Sequence, residues 1–149
     1  MIPGRLRGPW RVAVIEESMR PVIEPGDWLL LDPTVTRWPR RGAIVVIREP
    51  ETGVLALKRV AARPNDVVPG VSVRDPETSL DVTVTVRLGP DEAWLLGDAA
   101  DVSIDSRRYG PVTLDRLVGR AWFRYAPLRR VGRLDRLRRS QARPPAPPV

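Results

Sequence analysis

The chain contains no cysteine and no histidine, and each absence removes a body of chemistry. Without cysteine there are no disulfides, thiolate metal sites or cysteine nucleophiles. Without histidine the commonest general base near neutral pH is missing, and with it the Ser-His-Asp arrangement and most zinc or iron sites. Long apolar stretches are missing too. No window approaches the roughly 18 consecutive apolar residues of a membrane-spanning helix, and the run Val12 to Ile15 is too short for a secretion signal. The expectation is a chain without a transmembrane anchor, working in the cytoplasm and needing no metal or cofactor. The acids and bases left are carboxylates, two tyrosines, the terminal amine and a single lysine.

Among 25 positive residues that lysine, Lys58, stands against 24 arginines. A coding bias that supplies arginine wherever a charge suffices leaves lysine where arginine will not serve, and losing a proton is such a role. Arginine stays charged at any pH a protein meets, whereas a desolvated lysine can become a neutral amine. Chance retention is the bland alternative.

A length of 149 residues supports one hydrophobic core, and the 17 prolines and 11 glycines imply a loop-rich body. Short apolar runs at Arg11–Ile15, Asp27–Leu31, Ala43–Ile47, Val54–Ala62, Ala93–Leu96 and Val118–Tyr125 read as strands. The turn Pro50–Gly53 joins two of them as a hairpin, which places Lys58 mid-strand. Asp81–Leu88 alternates valines and leucine with polar residues, the period of a half-buried strand. One helical turn is expected at Thr113–Leu117. This is a mainly β fold of packed antiparallel sheets with little helix. Residues 1–127 form the expected domain. From Leu128 to Val149 seven arginines against Asp135 carry six of the seven net positive charges, so the body has no excess that argues for nucleic acid. Leu128, Val131, Leu134 and Leu137 recur every three residues, so this basic, proline-rich tail is read either as a solvated extension or as a short amphipathic helix for acidic partners or anionic lipid.

Four segments stand out together: Ser18-Met19-Arg20-Pro21, Gly26-Asp27, Leu57-Lys58-Arg59-Val60, and Gly97-Asp98 followed by Ser103-Ile104-Asp105-Ser106-Arg107. In this order they resemble the type I signal peptidase family, over about Val12 to Tyr125. The resemblance implies the β-rich fold shared by signal peptidases and self-cleaving repressors, and a serine-lysine dyad. Ser18 would be the nucleophile and Lys58 the general base, with Ser103 orienting the lysine and the Ser18 main-chain N–H donating to the oxyanion. Asp105 and Arg107 match a structural ion pair; Gly97 would let the backbone pass close to the lysine, and Asp98 would support the turn. The implied partner is a precursor protein that loses its leader.

The departures are local. Glu16 stands where many members place a hydroxyl that helps the oxyanion, Ala99 replaces an asparagine, and Val22 a threonine or serine. Val118-Gly119-Arg120 with Phe123-Arg124-Tyr125 and Pro127 is similar to the ending of the soluble nickel-type superoxide dismutase maturation proteases, which trim a propeptide from a cytoplasmic precursor. The shallow pocket for small substrate residues is expected near Val22, Ile23 and Ile44. The rival reading is a β-rich binding module of the same fold, catalytically weak or inactive, that uses its arginine-rich tail for acidic partners.

Overall fold

The computed structural model describes residues 10–134. The N-terminal arm and the chain beyond Leu134, including Leu137 and the proline run, lie outside the described residues. The apolar runs form β1 (Trp10–Ala13), β2 (Trp28–Asp32), β3 (Ile44–Arg48), β4 (Leu55–Ala62), β5 (Val67–Arg74), β6 (Asp81–Arg87), β7 (Glu92–Leu96), β8 (Val112–Thr113), β9 (Leu117–Ala126) and β10 (Gly132–Arg133). Among the described residues helix is confined to α1 (Ser106–Tyr109) and 3-10 turns at Leu114–Arg116 and Leu128–Arg130. Among the described residues no helix is long and apolar enough to cross a membrane.

The main sheet runs β1-β2-β9-β3-β4-β7-β8, with β10 on β9, and all of its pairings are antiparallel. β3 lies inside it, and its four apolar residues Ile44 to Ile47 are all buried. Period-two alternation divides them between two clusters. Ile44 and Val46 join Met19, Ile23, Leu29, Leu31 and Leu57 on one side; Val45 and Ile47 join Trp38, Val60, Ala93 and Leu95 on the other. Covered on both faces, β3 holds its hairpin partner β4 in a fixed place, paired from Ile44↔Arg59 to Arg48↔Leu55.

Three expectations change. β5 was not expected, because Pro69-Gly70 interrupts its apolar pattern; the strand absorbs them in a bulge between Val68 and Val71, with Gly70 at a φ of +71°. Its partner β6 is where the alternation placed a strand but is half-buried only at its end: Val82 and Val84 are exposed, while Val86 packs against the cluster that the following Leu88 enters. A two-stranded ribbon has no second layer over its tip. Residues 128–134 are not a solvated tail or amphipathic helix. A 3-10 turn delivers β10 to Arg124 and Phe123, on the edge of β9 that β3 leaves beyond Ala121, and Leu134 is buried in the main cluster while Leu128 is exposed. The expected turn after Thr113 forms as 3-10 helix, without a side-chain cap from Thr113.

Candidate active site

Ser18 lies in the turn after β1. That turn is held by the buried side chains of Met19 and Ile23 and by the bonds Ile23 N–H to Met19 O (2.9 Å) and Arg20 N–H to Glu17 O (3.1 Å). Lys58 lies in the middle of β4. The two side chains are buried, 6% and 2% exposed, and Lys58 Nζ stands 3.5 Å from Ser18 Oγ. That is the outer limit of a hydrogen bond. Residues 40 apart in sequence are thus brought together by the β3–β4 hairpin and the packing of the Ser18 turn. The Ser18 main-chain N–H has no acceptor among the described residues, while its carbonyl accepts from Ala99 N–H at 2.8 Å.

The loop after β7 supplies the surroundings. Asp105 is 1% exposed and accepts from Gly97 N–H (2.9 Å), Ser103 Oγ (2.9 Å) and the Arg107 guanidinium (2.6 and 2.9 Å). Burial raises the pKa of this carboxyl, but hydrogen bonds from the Arg107 guanidinium, Gly97 N–H, Ser103 and Arg107 N–H outweigh it and hold the carboxyl below its ordinary value. The Asp105–Arg107 pair is the one expected. The Ser103 hydroxyl donates to the Asp105 carboxylate two residues on (2.9 Å), and among the described residues no hydrogen bond joins it to Lys58. Gly97 is needed for closeness to Ser103 and Ser18. A Cβ there would run into Ser103 Cβ and Oγ and stand 2.8 Å from Ser18 O. Asp98 makes a bidentate pair with Arg59 (2.7 and 2.6 Å), which ties the residue after Lys58 to the end of β7.

Two features escaped sequence reading. Glu16 Oε1 accepts the Leu57 N–H at 2.6 Å, binding the segment before Ser18 to the residue before Lys58. A second cluster braces the Ser18 turn from below: buried Asp27 accepts from Arg124 (3.0 Å) and Arg130 (3.2 Å), and both arginines also donate to Val22 O. The Gly26-Asp27 segment pointed to half of this cluster; nothing in the pattern pointed to Arg130. Of the remaining candidate bases, Tyr109 is disqualified. Burial first, then the nearby carboxylates of Glu49, Asp105, Glu51 and Glu16, push its phenol well up, so it stays protonated.

A groove of about 470 Å³ lies between residues 12–16 and residues 54–57, with Val46 also in its lining, and that lining reaches Glu16 and Leu57, the neighbours in sequence of Ser18 and Lys58. It is not lined by Val22, Ile23 or Ile44: Ile23 and Ile44 are core residues, and Val22 packs against that core. Val60 exchanges main-chain bonds with the β3 side, so alternation turns Leu55 and Leu57 to the opposite edge, where β7 pairing has stopped at Arg59. Val14 bonds toward Asp27 and Gly26, so Ala13 and Ile15 likewise turn away from β2. The groove is therefore bounded by two unpaired strand edges, which suits an extended peptide.

The family model described as signal peptidase, peptidase S26, matches residues 9–75 and 72–126. The chain is 36% identical over 121 residues to mitochondrial ATP-independent inner membrane protease subunit 1b of Arabidopsis thaliana, covering 78% of this chain and 70% of that protein. It is 33% identical over 114 residues to mitochondrial inner membrane protease subunit 1 of Schizosaccharomyces pombe, covering 70% and 68%. To the probable signal peptidase I-1 of Synechocystis it is 28% identical over 140 residues, covering 79% and 71%.

Proposed function

The chain belongs to the peptidase S26 signal peptidase family, and from that premise we propose that it is a serine endopeptidase with a Ser18–Lys58 dyad that removes a leader from a precursor protein. The observation that carries the reading is the buried Lys58 amine 3.5 Å from the Ser18 hydroxyl, with an open-edged groove lined up to the adjacent Leu57 and to Glu16. Lys58, in its neutral form, takes the hydroxyl proton as Ser18 Oγ bonds to the scissile carbonyl carbon. The carbonyl oxygen gains the negative charge and accepts from the free Ser18 N–H. Collapse of this intermediate breaks the C–N bond, Lys58 returns the proton to the leaving amine, and an acyl-enzyme remains. A water that gives its proton to Lys58 then attacks the ester carbon, and the proton passes back to Ser18 as the peptide acid leaves. Ser103, bonded to Asp105, acts on this centre by packing against Gly97 and holding the loop that grips Ser18 O.

The narrower substrate, a nickel-type superoxide dismutase precursor in the cytoplasm, is supported by the resemblance of the segment Val118 to Pro127. The test of the dyad is cleavage of a precursor by parent, Ser18→Ala and Lys58→Arg. Both variants are expected to lose cleavage by at least about 10³-fold while staying folded. Cleavage by Lys58→Arg at the parent rate refutes the dyad, since arginine cannot give up its proton. Mass spectrometry of a co-expressed superoxide dismutase precursor tests the narrower reading.

A further inference from the structure

Glu16 is the charged residue in an otherwise apolar groove lining. It lies two residues before the nucleophile, and its carboxylate reaches the residue before the base, so it marks the catalytic end of the groove. Among the described residues no cation is paired with it. Oε1 accepts a main-chain N–H, and among the described residues Oε2 has no hydrogen-bond partner. The Leu57 N–H that it occupies points to the unpaired edge of β4, the donor that an extended substrate would use. A substrate carbonyl bonding there turns the carboxylate loose among Val14, Val46 and Ala56. An unpaired charge at an apolar surface is costly, and a substrate cation relieves that cost where a substrate carboxylate adds repulsion.

We infer that Glu16 is a specificity-determining residue, selecting a basic and rejecting an acidic substrate side chain beside the scissile bond. The inference rests on the groove's being the peptide site of the proposed peptidase, and its test separates the two. Alanine-rich peptides carrying one Lys or one Glu, moved position by position, are titrated by fluorescence anisotropy onto the Ser18→Ala protein, which binds without cutting. At one or two adjacent positions the Lys peptide is expected to bind about tenfold tighter than the Glu peptide, an attraction lost and a repulsion gained of similar size. Adding Glu16→Gln, which keeps an oxygen for the Leu57 N–H, is expected to bring the two peptides to near-equal affinity. Equal affinity at every position before Glu16 is altered overturns the inference without recourse to the variant. So does a preference that survives Glu16→Gln in a protein of parental Tm. Charge preference in binding without cleavage by the parent protein would leave this inference standing and sink the peptidase reading.

Discussion

Replacing Gly97 with alanine adds one methyl group at the most crowded backbone position of the site. Its nearest neighbours would be Ser103 Oγ and Cβ, and then Ser18 O at 2.8 Å. The hydroxyl can rotate away, but the Ser103 Cβ is fixed to main chain whose N–H donates to Ala99 O (3.0 Å), and the Ser18 carbonyl is held by the Ala99 N–H (2.8 Å). Relief thus requires backbone shifts, for which overpacking costs run about 1–3 kcal/mol, or a Tm lower by about 3–10 °C at this chain length. The effect on rate is expected to be larger than the effect on stability. Ser18 Oγ already stands at the limit of reach from Lys58, 3.5 Å, and a displacement near 1 Å at a reacting centre costs about 100-fold. The informative comparison is the double variant Gly97→Ala/Ser103→Gly, which removes both Ser103 clashes and leaves the one with Ser18 O. It should regain part of the lost Tm, because the Ser103–Asp105 bond goes with the clash, and little of the lost kcat/KM. Parental kcat/KM in Gly97→Ala would refute the reasoning, as would full rescue of rate by Ser103→Gly.

Because Asp105 has a carboxyl held below its ordinary value in the fold, its contribution to stability is fully present above the unfolded-state value of 3.8 and is lost as pH falls through the lower folded-state value. Urea denaturation is expected to show stability declining in that acid range, with a smaller decline in Asp105→Asn. At neutral pH Asp105→Asn should itself cost about 2 kcal/mol, less than a fully buried pair because Arg107 is half exposed. Leu134→Ala should cost about 2–4 kcal/mol by thermal or chemical denaturation, as for a buried leucine; a value near zero would return residues 128–134 to the status of a tail. Arg130→Ala, which removes the outer half of the brace on Asp27 and Val22, should lower stability by about 1–2 kcal/mol.

Composition narrowed the chemistry open to this chain: with cysteine and histidine absent and one lysine present, few bases remain for a serine. Strand positions were legible wherever an apolar run was uninterrupted, as at Ile44–Arg48 and Leu55–Ala62. Period-two patterning records which residues want to be buried. It does not record what will cover them, which is why Val82 and Val84 of β6 look half-buried in sequence and stand exposed on a ribbon.

What only the tertiary structure decided were partners. Ser103 could bond a lysine 45 residues back or a carboxylate two residues on, and only the path of the loop past Gly97 shows that it took the carboxylate. Glu16 reads as a misplaced hydroxyl until the unpaired edge of β4 supplies a main-chain N–H for it. Arg130 reads as one more charge of a basic tail until β10 pairs with β9 and swings it onto Asp27, 103 residues away. Such contacts depend on strand register and on the bulges within β2 and β9. These are settled by the summed packing of the whole sheet and by no local run of residues.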